Sequence, residues 1–246
     1  AYMAGWARRP VQQAFERQRA FIADASHELK TPLTLIRADT EVLQRSLEDP
    51  EDRELADDVL SEADKMSNIL SDLLLTARLD AGKLSVNSED FDLVPVIQDA
   101  TDRFERRAVY RDLRLEIEAE GGLMVRGDPA RTGQILGVLL DNALAHTPRE
   151  SSIIVAARAR DSFVETIVRD TGSGIPPEHL PRVFERFYRV DKARSRASGG
   201  TGLGLSIARD LARAQKGNLD AGNAGGGGAV FRLELPRADN PRRAKG

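Results

Sequence analysis

The chain has 246 residues and a net charge of −3, so it is long enough for two ordinary domains and lacks the excess of positive charge expected of a nucleic-acid-binding protein. It contains no cysteine, which excludes disulfides, thiolate metal sites and a cysteine nucleophile. With 41% hydrophobic and 30% charged residues, its composition is that of a soluble globular protein.

The first seven residues, AYMAGWA, are small, apolar or aromatic and directly precede Arg8 and Arg9. Aromatic residues followed by arginine are typical of the cytoplasmic end of a membrane-spanning helix, and a frayed or vector-derived terminus is the alternative. No apolar run reaches the ~20 residues that a span needs. If these residues are the remnant of a span, we expect the full-length protein to be tethered in the inner or plasma membrane, with this part facing the cytoplasm.

Two stretches of heptad spacing predict a pair of long helices. The recurring positions of the first helix are Ile22, Ser26, Leu29, Leu33, Ile36, Thr40, Leu43 and Leu47, and those of the second are Leu55, Val59, Glu62, Met66, Ile69 and Leu73. The turn signal EDPED at residues 48–52 separates them, which predicts an antiparallel hairpin. Leu70, Leu74 and Leu75 widen the apolar face beyond what one partner helix covers, so dimerisation into a four-helix bundle is expected.

The pattern changes after Gly82, a predicted helix C-cap, and domains are therefore expected at residues 1–82 and 83–246. The second domain is predicted to contain helices at residues 94–109, 132–145 and 203–216 and strands at residues 114–119, 152–157, 163–170 and 228–235. Because helices and strands are segregated and the strands are mostly antiparallel, the predicted fold class is α+β rather than a doubly wound sheet.

Residues 26–32 read SHELKTP and place a histidine beside a carboxylate on the first helix. We call the recurring positions of the two helices the seam. If the seam of the first helix faces inward, His27 lies roughly 200° around the helix from Leu29, at ~100° per residue, and faces solvent together with Thr31. An exposed imidazole can accept a phosphoryl group, and the adjacent Glu28 can take its proton. A solvated surface histidine is the alternative; a zinc-protease motif is excluded, since Thr31 stands where a second histidine is needed.

Two glycine loops lie in the second half of the chain. Residues 170–174 read DTGSG after a predicted strand, where the glycines let the backbone approach a flat ring and Asp170 can accept a hydrogen bond from an exocyclic amine. Residues 200–204 read GTGLG and open a helix whose N-terminal amides favour phosphate. Either loop alone is weak evidence, because glycine runs usually mark turns. The polar residues before Gly200 do not fit the dinucleotide-binding pattern.

Polar side chains near these loops suit a nucleotide with phosphates. Arg189, Lys192, Arg194 and Arg196 lie between the loops and fit a basic lid, with a solvated loop as the alternative. Asn142 is an amide on an otherwise apolar helix, and its oxygen can ligate Mg²⁺ that bridges phosphates. A surface asparagine is the alternative.

Taken together and in this order, the motifs resemble those of the cytoplasmic catalytic half of a bacterial two-component sensor histidine kinase. Residues 26–32 resemble its phospho-acceptor box. The later motifs resemble its N box at residues 139–148, first G box at 170–175, F box at 184–189 and second G box at 200–205. The likeness covers about residues 10–236, and it implies that an ATP-binding α/β sandwich of the GHKL type follows the hairpin.

The resemblance implies that ATP phosphorylates His27 with Glu28 as general base, and that the phosphoryl group then passes to an aspartate of a response-regulator receiver domain. It further implies a homodimer, and it makes Glu28 and Thr31 the pair that supports dephosphorylation of that partner. Asn142 would hold Mg²⁺. The implied ATP-binding residues are Asn142, Asp170, Gly172, Gly174, Tyr188, Lys192, Arg194, Gly200, Thr201, Gly202, Leu203 and Gly204.

Two positions depart from the family pattern. Ala145 stands in place of the usual N-box lysine, so Lys192 or Arg194 would have to compensate, or ATP binding would be weak. Val138 stands where related hydrolytic ATPases place a catalytic glutamate, which predicts slow hydrolysis of ATP by water. Two alternatives stay open, namely a hydrolytic ATPase of the same pocket fold and a non-catalytic scaffold whose pocket has decayed.

Overall fold

The computed structural model describes residues 28–190 and 201–238. The chain divides into two compact units, and the boundary along the sequence falls between Leu84 and Ser85. The first unit is the predicted helical hairpin. Within the two described stretches, no helix combines the length and the apolarity needed to cross a bilayer.

The hairpin consists of two helices with a short turn between them. Helix α1 covers residues 28–46 of the described chain, and helix α2 covers Pro50–Asp80. The turn signal sets the start of α2, because the Asp49 side chain caps its N-terminus and proline is favoured in a first helical turn. Gly82 follows α2 with a φ of +62°, which confirms the predicted glycine termination.

Only part of the predicted seam is buried within the single chain. The buried side chains of its described residues include Leu33 of α1 and Ala56 and Ala63 of α2. Most of the predicted apolar seam of the two helices is instead at least about a third exposed, namely Leu29, Ile36, Leu43, Leu55, Val59, Met66 and Ile69. Alanine lets two helices approach closely, and the larger seam residues are left on an outward face of the single chain.

Polar contacts fix the register of the two helices. Arg37 Nη1 lies 3.3 Å from Asp64 Oδ1, and Gln44 Nε2 donates a 2.6 Å hydrogen bond to Asp57 Oδ1. Each acidic partner directly follows one of the two buried alanines in sequence, so the polar contacts flank the line along which the helices meet.

The second unit combines strands and helices in an α+β fold, as predicted. Its strands are β1 (Glu89–Asp92), β2 (Arg114–Ala119), β3 (Met124–Gly127), β4 (Ser152–Ala159), β5 (Phe163–Asp170), β6 (Asn218–Asn223) and β7 (Ala229–Pro236). Among its described residues, the helices are α3 (Leu93–Tyr110), α4 (Pro129–His146) and α5 (Gly204–Ala214), and a 3₁₀ turn lies at Leu180–Arg182.

Five strands form the main sheet in the order β2-β4-β5-β7-β6. The pair β2–β4 is parallel and the other pairs are antiparallel, while β1 and β3 form a separate antiparallel pair. One sheet face packs against the helices, so that alternate residues of β5 are buried. The large, fully buried side chains of α4 are Ile135, Leu136, Leu139, Leu140 and Leu144.

The structure corrects some predicted boundaries. Helix α5 ends at Ala214 rather than at residue 216, because the Gln215 side chain turns inward, where its Oε1 accepts from the Asp128 amide at 2.8 Å. Lys216 then takes a left-handed φ of +62°. Strands β1, β3 and β6 were not predicted. Strands β1 and β3 are short, with four residues each. Strand β6 contains asparagine, aspartate and glycine, which disfavour strands.

Candidate functional site

Asp170 lies at the end of the central strand β5 and is only 3% exposed. Its Oδ1 accepts hydrogen bonds from the backbone amides of Gly172 at 2.8 Å and Ala229 at 3.2 Å. Both bonds use the same carboxylate oxygen, so Oδ2 can accept a hydrogen bond from a ligand. The carboxylate is thus oriented by the backbone before any ligand binds.

Gly228 brings β7 against this carboxylate. It has a φ of +89°, and a Cβ atom there would lie 1.9 Å from the Asp170 carbonyl oxygen. Neither Gly228 nor Ala229 was predicted as a site residue. The glycine run at residues 225–228 was visible, but such runs usually mark turns, and a backbone amide has no side-chain signature in a sequence.

The loop after Asp170 runs along the C-terminal end of α4. A Cβ atom on Gly172 would lie 3.1 Å from the His146 carbonyl oxygen, and one on Gly174 would lie 2.8 Å from Asn223 Oδ1. Gly174 also has a φ of +72°. Both predicted glycines of the first loop therefore lie where the backbone makes close approaches, and the loop is brought next to α4.

Asn142 lies on the face of α4 that joins the two glycine loops. Val138, Asn142 and His146 are four residues apart in succession and share this face. Val138 is 3.2 Å from the position of a Cβ atom on Gly204, and the His146 carbonyl adjoins Gly172. The half-buried Asn142 therefore lies along α4 between the points where the helix meets the two loops.

The described part of the second glycine loop leads directly into α5. Thr201 Oγ1 accepts from the Leu203 amide at 3.1 Å, and Leu203 is fully buried. Gly202 has a φ of +73°, and a Cβ atom there would lie 2.9 Å from the carbonyl carbon of Phe187. The amides of the first turn of α5, from Gly204 onward, have no intrahelical acceptor and can bind an anion.

The F-box segment is attached to the second glycine loop and to α5. The Phe187 amide donates to the Gly202 carbonyl at 2.9 Å, and the Arg209 guanidinium lies 4.6 Å from the centre of the Phe184 ring. Tyr188 has its hydroxyl 2.5 Å from His179 Nδ1. The predicted site residue Tyr188 is therefore fixed by His179, which was not among the predicted site residues.

On the hairpin, Glu28 and Thr31 are exposed on α1, and Leu33 of the same helix is buried. Four predicted site residues, His27, Lys192, Arg194 and Gly200, lie outside the described residues. Ala145, at the place of the usual N-box lysine, is half-buried on α4.

Together these contacts connect all four motifs of the second unit. Its first glycine loop and its second glycine loop both meet α4, and the F-box segment meets the second loop. The site combines an oriented carboxylate for an amine, an amide oxygen for a cation and a helix N-terminus for an anion. These are the groups that an adenine nucleotide with its metal ion requires.

Comparison with known families assigns the two parts of the chain separately. Residues 17–82 match the His Kinase A (phospho-acceptor) domain, and residues 127–239 match the histidine kinase-, DNA gyrase B-, and HSP90-like ATPase. The two matched ranges correspond to the hairpin and to most of the α/β unit.

Similar proteins include the sensor-like histidine kinase SenX3 of Mycobacterium tuberculosis (strain H37Rv), with 38% identity over 89% of this chain and 54% of SenX3. The sensor histidine kinase YkoH of Bacillus subtilis is 40% identical over 82% of this chain and 44% of YkoH. The chain thus spans about half the length of these relatives.

Among solved structures, full-length ShkA in complex with AMPPNP superimposes with a TM-score of 0.77 and 27% identity, covering 90% of this chain and 46% of ShkA. The mycobacterial sensor histidine kinase MprB gives a TM-score of 0.54 and 28% identity, over 62% of this chain and 99% of that structure. The chain therefore belongs to the two-component sensor histidine kinases and carries the phospho-acceptor and ATPase domains of that family.

Proposed function

We propose that this chain is an ATP-dependent protein-histidine kinase that phosphorylates its own His27 and passes the phosphoryl group to an aspartate of a response-regulator receiver domain. The observation that carries the proposal is the Asp170 carboxylate, oriented by two backbone amides beside a glycine loop that meets α4. The similar ShkA structure is a complex with AMPPNP, which supports a nucleotide at this place.

ATP would bind with its base against Asp170 and its phosphates toward α5. Asp170 Oδ2 accepts from the adenine amine, and the first amides of α5 donate to phosphate oxygens. Gly172, Gly174, Thr201, Gly202, Leu203 and Gly204 shape the loops around the ligand. Tyr188, Lys192, Arg194 and Gly200 complete the proposed ATP-binding set.

Mg²⁺ fits the donors of this site. Mg²⁺ is usually bound by one or two protein oxygens together with substrate phosphates, and the amide oxygen of the half-buried Asn142 is a ligand of this type. When bound, the ion would neutralise charge on the phosphates.

The hairpin would supply the acceptor. A ring nitrogen of His27 forms a bond to the γ-phosphorus of ATP while the bond from that phosphorus to the ADP oxygen breaks. Glu28, exposed next to it in sequence, would take the proton from the other ring nitrogen as general base. In the proposed division into domains, residues 1–82 carry the acceptor and residues 83–246 bind ATP.

The second proposed activity is removal of the phosphoryl group from the response regulator. Thr31 is exposed on α1, four residues after His27 in sequence, and would orient the attacking water with Glu28. A Thr31→Ala variant should then dephosphorylate the labelled receiver domain more slowly and keep its self-phosphorylation rate. Equal dephosphorylation by the variant and the parent would reject this role.

The proposed assembly is a homodimer joined by the hairpins. Nine large apolar side chains of the described parts of α1 and α2 are exposed in the single chain, seven of them at the predicted seam positions, which supports burial against a second copy. The full-length protein would be tethered to the inner or plasma membrane, with this region in the cytoplasm, since the relatives are sensor kinases about twice as long.

The test is incubation of the purified chain with Mg²⁺ and ATP labelled on its γ-phosphate, beside His27→Ala and Asp170→Asn variants. We expect label that is lost in acid, kept in alkali and absent from both variants. Nucleotide binding without label on the protein would contradict the kinase and favour a scaffold. Rapid release of inorganic phosphate without label would favour a hydrolytic ATPase.

A further inference from the structure

We propose that Asn223 is a positioning residue for base recognition, because it holds the loop that follows Asp170 in the shape that presents the carboxylate to the adenine amine. The inference rests on the proposed binding of ATP. It concerns a residue on a different strand from the carboxylate, 48 residues beyond the loop residue that it holds.

The Asn223 carboxamide satisfies both backbone groups of one loop residue. Its Oδ1 accepts from the Ile175 amide at 2.8 Å, and its Nδ2 donates to the Ile175 carbonyl at 2.7 Å. Two antiparallel strands exchange the same pair of bonds between opposed residues. The side chain therefore extends the β6 edge of the sheet onto the loop.

The strand register connects this contact to the carboxylate. Asn223 on β6 is paired with Ala229 on β7, and the Ala229 amide is one of the two donors to Asp170 Oδ1. One cross-strand pair thus holds both ends of the loop, the carboxylate end through Ala229 and the far end through Asn223.

The loop itself is pressed against Asn223. Gly174 has a left-handed φ of +72°, and a Cβ atom there would lie 2.8 Å from Asn223 Oδ1. Without the carboxamide, both backbone groups of Ile175 would lose their partner, and the far end of the loop would be free to move. The first turn of α5, which the phosphates would contact, lies on another element and keeps its own contacts.

The two ends of a nucleotide should therefore respond differently to loss of Asn223. Recognition of the amine by Asp170 should weaken, while binding of the phosphates and the transfer step should persist. Inosine triphosphate tests this difference, since it has an oxo group where adenine has the amine, and this oxygen cannot donate a hydrogen bond to Asp170.

The experiment compares the parent chain with Asn223→Ala, Asn223→Asp and Asn218→Ala for binding of ATP and inosine triphosphate, for KM and kcat of self-phosphorylation, and for thermal unfolding. Asn218 is the matched control, because it lies at the other end of β6 and, among the described residues, its side chain bonds within that strand, to Asp220. Asp keeps the acceptor for the Ile175 amide but cannot donate to the carbonyl.

We expect Asn223→Ala to weaken ATP binding on the order of tenfold, as the loss of two hydrogen bonds suggests, and to change inosine triphosphate binding by about twofold or less. KM for ATP should rise with kcat nearly unchanged. Asn223→Asp should also weaken ATP binding, and Asn218→Ala should match the parent in every measurement.

Two results would overturn the inference while leaving the proposed function intact. In one, Asn223→Ala binds ATP as tightly as Asn218→Ala does. In the other, it loses affinity for both nucleotides equally together with thermal stability, which is the mark of a general structural role. A parent chain that binds no ATP would instead overturn the proposed function, and this inference with it.

Discussion

The two units of the molecule differ in how they bury their apolar side chains. In the α/β unit the large core residues of α4 and β7, such as Leu139 and Phe231, are essentially inaccessible within one chain. In the hairpin, by contrast, Leu43 and Leu55 remain 58% and 63% exposed. The α/β unit closes its own core, whereas the hairpin presents an apolar face that a second copy would cover.

The largest expected effect is on the core of the α/β unit. Leu139→Ala should lower the free energy of unfolding by about 2–5 kcal/mol, since it removes buried methyl groups and leaves a cavity. Chemical denaturation measures this loss. The unfolding transition of the α/β unit is identified as the one that added ATP shifts, since a ligand stabilises the unit that binds it. Leu43→Ala is the control and should leave that transition unchanged. An equal loss in both variants would contradict the difference in burial between the two units.

The next effect concerns the close approach of Gly228 to Asp170. Gly228→Ala would place a methyl group 1.9 Å from the Asp170 carbonyl oxygen in a left-handed conformation, so β7 must shift. The backbone strain alone should cost about 1–3 kcal/mol of stability. Calorimetric titration with ATP should show that binding is lost.

A matched control lies two residues away. Gly226→Ala should retain ATP binding, because among the described residues, its chain neighbours aside, no atom lies within 4 Å of a Cβ atom there. If both alanine variants bind ATP equally well, the proposed role of Gly228 in holding the carboxylate is wrong.

The next prediction concerns the exposed apolar face of the hairpin and the dimer that it is expected to form. Met66→Glu places a charge on the exposed apolar face of α2 and should raise the dimer dissociation constant by at least about tenfold, measured by sedimentation equilibrium. Leu35→Glu is the control, since Leu35 is exposed on another face of α1, roughly 100° from Ile36. Dissociation of both variants, or of neither, would argue against this face as the interface.

The smallest effect is electrostatic and lies on the outer face of the sheet. Burial by itself would raise the pKa of Glu165, but hydrogen bonds and charge from Arg158 at 2.6 Å and Arg160 at 3.2 Å outweigh it, and the pKa of the carboxyl is lowered. Its contribution to stability is therefore present at neutral pH and is lost as the pH falls through the lowered pKa.

Glu165→Gln should reduce the free energy of unfolding by about 1 kcal/mol at neutral pH. The difference from the parent should shrink as the pH falls below the ordinary range of a glutamate. Denaturation curves across this range measure it, and a difference that grows toward acid would have the wrong sign for this account.

The sequence predicted the elements whose signals are local. Strand β2 was predicted with its observed bounds, Arg114–Ala119, and α4 was predicted at residues 132–145, inside its observed bounds Pro129–His146. The glycine after α2 was also predicted correctly. Caps, turn residues and apolar periodicity are readable because they depend only on neighbours in the chain.

The rest depends on contacts between distant segments. The sequence NLDAGN of β6 disfavours a strand, and the strand forms because β7 pairs with it. Asn223 and the Ala229 amide were missed because their partners, Ile175 and Asp170, are about 50 residues away and one contact is made by backbone alone. The seam of α2 was readable as apolar, but the burial of Ala56 and Ala63 was not.

Phosphorylation of His27 is tested most directly by locating the phosphoryl group after incubation with ATP and Mg²⁺, by mass spectrometry of tryptic peptides kept at neutral pH. The proposed function predicts one phosphoryl group on the peptide spanning residues 20–30, which contains His27. A phosphoryl group confined to another peptide, or an unmodified protein that has hydrolysed the ATP, would contradict it.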